Sequence, residues 1–282
     1  MILGKHVSIA GGLDKSLKRA AEIGCNSLQI FVKNPRGWKA RDLSEAEVER
    51  FKANREKYNI NPVVVHAAYL INLASPKEEL WEKSISALKM ELMRSARLGA
   101  EYLIFHPGSH TGSGLESGIK RIAEALNIIL AETDAQLLDS TQILLENTAG
   151  AGSSIGQDFS EIKAILDQVE APEKFGVCLD SCHAFAAKYE LKDKSALEKL
   201  LLDIENQLGL SKLKVIHLND SKYISGSKKD EHAHIGEGEI GKKAFAEMIN
   251  HPKLKDLPFI LETPCFDDQV DRDVILLKHL RN

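Results

Sequence analysis

The sequence predicts an α/β protein that folds as a single-domain (β/α)8 barrel, the TIM-barrel architecture. Three observations favour this fold. Eight short apolar runs alternate with charged segments of helical period, which is typical of a parallel sheet covered by helices. The repeating units, of roughly 30–45 residues each, suit a closed barrel. No linker, low-complexity tract or break in composition interrupts the chain, so we expect one domain spanning residues 1–282.

The predicted strands are mostly continuous apolar runs, as expected of strands buried on both faces of a parallel sheet. In order they are HVSIA from His6, SLQIFV from Ser27, VVVH from Val63, YLIFH from Tyr102, QILLEN from Gln142, GVCLD from Gly176, KVIHLND from Lys214 and FILET from Phe259. An open doubly wound sheet is the alternative. No GxGxxG motif follows the first strand, which disfavours it.

Helices are predicted between the strands, and the segment from Ser75 to Gly99 shows the pattern most fully. Ser75 is suited to the N-cap, and Pro76 to the first helical position, where its missing N–H costs nothing. Gly99 is suited to the left-handed conformation that ends many helices. The segment LSEAEVERFKANREKY is a second clear helix.

The composition is that of an ordinary soluble protein, with 43% hydrophobic and 28% charged residues. Four scattered cysteines without a CxxC pair indicate a reducing compartment. The sequence shows neither a signal peptide nor an apolar window long enough to span a bilayer, so we expect a cytoplasmic protein without membrane association. Nothing in it resembles a dimer seam, so we expect a monomer. The net charge of −4 does not by itself indicate a nucleic-acid partner.

Six consecutive predicted strands carry a histidine or a carboxylate at or near the C-terminal end. These residues are His66, His106, Glu146, Asp180, His217 and Glu262. In a parallel barrel these ends meet at one rim, where barrel enzymes have their active sites. A single polar residue at a strand end is usually a solvated loop start, but six in series indicate a shared site. Converging carboxylates repel one another unless cations lie between them, so metal removal should destabilise the fold.

The segment after the seventh strand and the start of the helix after the sixth add three more candidates. Asp230 and His232 are two residues apart, which places both side chains on one side of an extended segment. His183 follows Asp180 by three residues and is within reach of the same loop; its alternative role is a helix-start residue. Mixed imidazole and carboxylate ligands suit zinc or manganese. One catalytic zinc takes three or four protein ligands, so nine candidates suggest two or three ions.

Three nearby residues are not predicted to bind metal. His234 is interpreted as a surface residue or as support for the site. Cys178 and Cys182 are interpreted as packing or supporting residues, because sulfur ligands usually come with CxxC spacing.

The motifs HAAYLINLA, FHPGSH, LLENTAG, GVCLDSCH, the HLNDSK segment with its following GEG, and the closing LETP together resemble the endonuclease IV family of zinc-dependent apurinic/apyrimidinic endonucleases. The resemblance covers essentially the whole chain. It implies a barrel that holds three Zn²⁺ ions, with Mn²⁺ in part. The implied activity is cleavage of double-stranded DNA 5′ to abasic sites, which leaves 3′-hydroxyl and 5′-deoxyribose phosphate ends.

The resemblance also implies which residues hold each ion. They are His66, His106 and Glu146 for the first; Glu146, Asp180, His217 and Glu262 for the second; and His183, Asp230 and His232 for the third. A metal-bound hydroxide would be the nucleophile. Glu146 and Glu262, nearest to it, are the implied catalytic residues.

The resemblance implies DNA contacts from two loops. Arg36, Tyr69 and Leu70 would enter the base stack, and Asn72 would support the loop that carries Tyr69 and Leu70. Without the resemblance, loop packing is the favoured role of Tyr69 and Leu70. An abasic nucleotide is cheap to extrude because it has no base to unstack. Basic residues surround Trp38, which we expect to pack; they are Lys33, Arg36, Lys39 and Arg41.

Two positions depart from the family pattern. Ser181 stands where threonine is common, and Glu231 lies in the D-x-H segment where many relatives have a basic residue. An acid there would weaken a phosphate contact.

The alternative function is a metal-dependent sugar isomerase or epimerase on the same barrel, which needs only one or two ions. A noncatalytic metal-loaded DNA-binding module is the other alternative.

Overall fold

The computed structural model describes residues 1–265 and 270–281. Its central feature is an eight-stranded parallel sheet, in which the strands are neighbours in the order Leu3–Lys5, Phe259–Leu261, Leu213–His217, Phe175–Asp180, Gln142–Glu146, Tyr102–Phe105, Val63–His66 and Leu28–Ile30. A parallel bridge between His6 and Gln29 joins the two ends of this order, so the sheet forms a barrel. The predicted (β/α)8 fold is confirmed.

The strands of the described chain are short and, with two exceptions, belong to the barrel. The exceptions, β8 and β9, form a separate antiparallel pair in the loop after the seventh barrel strand. The bounds are β1 Leu3–Lys5, β2 Leu28–Ile30, β3 Val63–His66, β4 Tyr102–Phe105, β5 Gln142–Glu146, β6 Phe175–Asp180, β7 Leu213–His217, β8 Asp220–Ser221, β9 His232–Ala233 and β10 Phe259–Leu261.

Helices surround the barrel and cover the outer face of the sheet. Their bounds are α1 Asp14–Glu22, α2 Glu45–Tyr58, α3 Glu78–Leu98, α4 Leu115–Glu132, α5 Ala135–Ser140, α6 Phe159–Leu166, α7 Ser181–Ala187, α8 Lys194–Leu208, α9 Lys242–Asn250 and α10 Arg272–Leu280. None of the helices in the described ranges is long and apolar enough to cross a membrane.

The first strand lies earlier than the sequence predicts. It covers Leu3–Lys5, and His6 contributes only a single bridge beyond it. Gly4 and Lys5 disguise this strand because neither is typical of a buried strand. A Cβ at Gly4 would lie 2.8 Å from a main-chain atom of Ser27, so glycine permits close packing there. Lys5 is buried because it pairs with Asp271 near the start of α10.

The start of α3 also differs from the prediction. The helix begins at Glu78 with Lys77 at the N-cap, and Ser75 lies before it. The Ser75 hydroxyl accepts a hydrogen bond from the Lys77 N–H at 3.2 Å, so it organises the turn that precedes the helix. Gly99 ends the helix at φ 74°, in the left-handed conformation that was predicted.

The core has two layers. A large cluster lies between the sheet and the helices, and Trp38 packs against it as predicted. A smaller cluster fills the barrel interior; it consists of Val64, Ile104, Leu144, Cys178, Val215 and Ile260. Cys178 is therefore a packing residue, as predicted. This interior cluster forms the floor of the candidate site.

Candidate metal centre

A layer of polar side chains lies directly above the apolar floor of the barrel. Side chains alternate along a strand, so the next inward-facing residue lies two positions after each floor residue. At six strands this position holds a predicted candidate ligand. Gly4 and Ser27 are followed in the same way by His6 and Gln29 on the remaining two strands. We call these eight residues the polar layer; they are His6, Gln29, His66, His106, Glu146, Asp180, His217 and Glu262.

The first group of candidate ligands comes from β3, β4 and β5. His66 Nε2 and the Nε2 atom of His106 each lie 3.1 Å from Glu146 Oε2. The Nδ1–H of His66 donates to the Ala67 carbonyl oxygen at 2.7 Å. Because a carbonyl oxygen only accepts, Nδ1 carries a proton, so a neutral His66 has its Nε2 lone pair facing Glu146. All three donor atoms lie within 4.8 Å of one another.

The second group shares Glu146 with the first. Glu146 Oε1 lies 3.0 Å from His217 Nδ1, whereas Oε2 faces the first group. His217 Nδ1 also lies 3.3 Å from Glu262 Oε2 and 3.8 Å from Asp180 Oδ2. Glu146 is completely buried, and its two carboxylate oxygens face two different groups of candidate ligands.

The third group combines the N-terminus of α7 with the loop between β8 and β9. Asp180 accepts a hydrogen bond from the His183 N–H at 2.8 Å as the N-cap of α7, which fixes the imidazole over the barrel. His183 Nε2 lies 3.1 Å from Asp230 Oδ2, and His232 Nε2 lies 3.3 Å from Asp230 Oδ1. The structure therefore brings all nine predicted residues into three adjoining groups.

Two observations show that these groups suit divalent metal ions. The buried Nε2 atom of His232 lies near carboxylate oxygens, yet among the described residues it has no hydrogen bond of good geometry. The donor atoms are imidazole nitrogens and carboxylate oxygens, which are typical ligands of zinc and manganese. A metal ion at each group would satisfy these atoms.

Cys182 lies closer to the centre than its interpretation as a packing residue implies. Its Sγ atom is within 4.8 Å of donor atoms of Asp180 and His232. Burial raises the pKa of this thiol to about 12. His234 lies 2.9 Å from Asp273 Oδ2 and supports the segment that follows β9.

Buried amides hold the carboxylates in place, and sequence analysis missed them. The Asn219 side chain donates to Asp180 Oδ2 at 2.6 Å, and its oxygen accepts from the Glu262 N–H at 2.8 Å. Asn147 Oδ1 accepts from the Asp180 N–H at 2.7 Å. Asn147 is the last residue of LLEN and Asn219 the last residue of HLN, so each directly continues a strand end that carries a candidate ligand. This position is the sequence signal that could have identified them. Gln29 had no such signal because it lies inside an apolar run.

The electrostatics differ from the expected repulsion among carboxylates. Burial opposes ionisation of Glu146, but His217 and His106 outweigh it and hold its pKa well below the usual range. Burial likewise opposes protonation of His232, yet the neighbouring carboxylates of Asp230 and Asp180 raise its pKa to about 9. The alternation of imidazoles and carboxylates therefore lets bound protons replace part of the charge that metal ions would supply.

Of the predicted DNA-contacting residues, Arg36 and Tyr69 are exposed at the same rim and Leu70 is half-buried. Tyr69 is 68% exposed and its ring lies 5.4 Å from that of Phe31. The Asn72 amide donates to the Ser109 carbonyl at 3.0 Å and accepts from the Ser109 N–H at 2.9 Å, so it joins the loops after β3 and β4.

The basic loop after β2 is less basic than the sequence indicates. Lys33 is buried and lies 3.1 Å from Glu91 of α3, and Arg41 pairs with Glu47. Arg36 and Lys39 remain exposed. Glu231, the predicted departure, lies 2.6 Å from Lys222 and accepts a hydrogen bond from the Tyr223 hydroxyl at 3.0 Å. It therefore offsets a cation of its own loop.

A cavity of about 280 Å³ opens beside the first and third groups. Tyr69 and Asp230 lie on its wall, and the imidazoles of His106 and His183 also line it. The polar layer and this cavity together define a (β/α)8-barrel protein with a candidate metal centre at the C-terminal rim.

Comparison with known proteins identifies the family. Residues 17–281 match the model of the xylose isomerase-like TIM barrels. The probable endonuclease 4 of Halothermothrix orenii is 57% identical over 281 residues, which cover 100% of this chain and 99% of that protein. The crystal structure of endonuclease IV from Thermus thermophilus has a TM-score of 0.84 at 38% identity, covering 99% of this chain and 97% of that one. The chain belongs to the endonuclease IV family, as its motifs predict.

The barrel fold itself is shared more widely. A D-tagatose 3-epimerase-like protein has a TM-score of 0.73 at 20% identity, with coverage of 99% of this chain and 95% of that one. At this identity the likeness concerns the fold alone, so function must be argued from the site.

We expect the stability of the metal-stripped protein to fall as pH rises from about 7 to 9. Raised imidazole pKa values contribute stability that is fully present below the ordinary histidine pKa and is lost as pH rises through the folded value, about 9 for His232. Metal-bound imidazoles carry no such proton, so the loaded protein should not show this fall. Thermal unfolding of both forms at pH 6.5 and 9 should show a Tm gap that widens by at least about 5 °C. Parallel pH profiles would contradict the prediction.

Proposed function

We propose that this protein is a DNA-repair endonuclease that hydrolyses the phosphodiester bond 5′ to abasic sites in duplex DNA. The products would be a 3′-hydroxyl and a 5′-deoxyribose phosphate. Membership of the endonuclease IV family supports this proposal. The observation that carries it is the position of Glu146, whose two oxygens face two candidate metal groups while a third group adjoins them.

The donor set supports three zinc ions, with manganese in part. His66, His106 and Glu146 would hold the first ion, and His183, Asp230 and His232 the third. Glu146 would bridge to the second, which Asp180, His217 and Glu262 complete. When bound, such ions lower the pKa of coordinated water and neutralise charge on phosphate oxygens.

The chain's own residues orient the reacting groups. Glu146 and Glu262 belong to the central candidate group and would lie nearest to the reacting phosphate and water. The main-chain N–H of Glu262 donates to the side-chain oxygen of Asn219, and the Gln29 amide donates to the Glu262 carboxylate at 2.6 Å. A carboxylate held by such hydrogen bonds keeps its geometry during the reaction, which is a condition for electrostatic catalysis. No separate side-chain general base is required.

The rim supports recognition of a deformed duplex. Tyr69 projects beside the ring of His66, with the centroids 5.8 Å apart, and would enter the base stack together with Leu70 and Arg36. The neighbouring cavity, of about 280 Å³, would receive the extruded abasic sugar phosphate. Divalent ions there would also make the mouth attractive to phosphate despite the net charge of −4. The cytoplasmic location and the monomeric state stay predictions.

Incubation with a duplex that contains one tetrahydrofuran abasic analogue should give a single nick immediately 5′ to the lesion. Elemental analysis of the same preparation should find about three transition-metal ions per chain, as the proposed ligand sets require. A metal content near one, with epimerisation of a ketose and no nick, would favour the sugar isomerase or epimerase instead. Tight binding of the duplex without a nick would favour a noncatalytic module.

Glu146→Gln should lower the nicking rate by more than about 100-fold, because it removes the carboxylate that two ions would share; losing even a partner outside the ligand sphere costs 10–100-fold. Lesion binding should change far less. Single-turnover nicking and a binding titration measure the two effects. Glu198→Gln is the matched control, since it removes a carboxylate that lies 3.0 Å from His251 on the outside of the barrel. Wild-type nicking by Glu146→Gln would contradict the bridging role.

Arg36→Ala should weaken binding to the lesion and reduce the slope of log K against log salt by about one, if the exposed guanidinium contacts a phosphate. Binding titrations at several salt concentrations test this. Arg50→Ala, on the exposed face of α2, is the control and should leave affinity and slope unchanged. Weaker binding with an unchanged slope would instead assign Arg36 to stacking or packing.

A further inference from the structure

Gln29 contributes the one amide side chain of the polar layer. It lies on β2, which supplies no candidate ligand, and it is completely buried. We propose that Gln29 is a positioning residue that selects the tautomer of His217, so that Nδ1 is its metal-binding atom, and that holds Glu262 beside it. This inference rests on the proposed metal centre and assigns a role to a residue outside its ligand set.

Hydrogen-bond chemistry fixes the orientation of the Gln29 amide. Its Nε2 atom lies 2.6 Å from Glu262 Oε1 and 2.9 Å from His6 Nδ1. An ionised carboxylate only accepts hydrogen bonds, so the NH2 group of the amide must face Glu262. The amide oxygen then faces His217 Nε2 at 2.8 Å.

This orientation determines which nitrogen of His217 carries the proton. The amide oxygen only accepts, so His217 Nε2 must donate to it. In a neutral imidazole the lone pair is then on Nδ1. That atom faces carboxylate oxygens of Glu146 at 3.0 Å and Glu262 at 3.3 Å, with a third from Asp180 at 3.8 Å. Either a proton on Nδ1 or a metal ion satisfies these three carboxylates, and only with the metal ion is the imidazole neutral, so the tautomer and the metal ion are coupled.

His217 differs from His66 and His183 in the acceptor for its outer nitrogen, the ring nitrogen that faces away from the candidate metal position. The outer nitrogen of His66 donates to the Ala67 carbonyl, and that of His183 to the Asn147 carbonyl at 2.9 Å. These acceptors belong to the main chain, so side-chain substitution does not remove them. The acceptor for His217 is a side chain, and a single substitution at Gln29 therefore changes the ligand's tautomer without touching the ligand.

Gln29→Met preserves the approximate volume of the side chain but removes the amide. Partners that orient a metal-binding histidine typically contribute 10–100-fold to metal affinity. We expect a 10–100-fold weaker affinity for one of the bound Zn²⁺ ions, measured by competition with a chromogenic chelator. Ser27→Ala is the matched control, because Ser27 is also completely buried and faces the barrel interior at the start of the same strand segment. It should lower stability without lowering metal affinity.

A spectroscopic measurement separates this role from simple packing. In protein labelled with ¹⁵N-histidine and loaded with ¹¹³Cd²⁺, the His217 ring should show coupling of cadmium to Nδ1 and a proton on Nε2. A His217→Asn variant assigns the resonances. The wild-type spectrum alone tests the tautomer, so the proposal remains testable even where Gln29→Met fails to fold.

Either of two results would overturn the proposal. One is ligation of cadmium through Nε2 of His217 in the wild-type protein. The other is a folded Gln29→Met variant with wild-type affinity for every bound Zn²⁺ ion. Neither readout involves DNA, so failure of the endonuclease proposal and failure of this one are distinguishable.

Discussion

The burial of Glu146 is the constraint on which the rest of the site depends. A completely buried carboxylate is costly unless positive charge and hydrogen bonds surround it. The barrel meets this requirement by placing imidazoles of β3, β4 and β7 around both carboxylate oxygens. The pKa values of His66 and His217 are raised, so protons on these two imidazoles balance the charge in part, and divalent ions would balance it more completely. The stability of the fold and the chemistry of the centre therefore depend on the same contacts.

Much of the centre was predictable because the barrel repeats one simple rule. Each apolar run ends where the strand leaves the core, and the next inward position faces the rim. His66, His106 and Glu146 end such runs, so the sequence displayed them. His6 and Gln29 obey the same rule but were missed. The strand before His6 contains Gly4 and Lys5, and the run around Gln29 continues into Phe31, so neither appears as a strand end.

The charges that the sequence alone does not place depend on partners distant in sequence. Lys33 resembles a free cation in a basic loop, yet Glu91 lies beside it at the loop's buried edge. Burial of a lysine is tolerated only through such a pair, and nothing in the local sequence announces it. Lys5 and Asp271 are a longer-range case, separated by most of the chain. Local patterns specify most of the barrel strands, whereas tertiary contacts decide which charges remain available at the surface.

The same long-range contacts set the position of the loops that we propose contact DNA. Glu91 accepts a hydrogen bond from the Ala68 N–H at 3.1 Å, immediately before Tyr69, and also lies beside Lys33. Lys33 in turn donates to the Gly37 carbonyl at 2.6 Å, immediately after Arg36. One buried ion pair thus joins the two loops that carry the exposed tyrosine and arginine. A packed ion pair thus holds both loops in fixed register above the barrel floor, and loops are the part of a shared fold in which specificity usually differs.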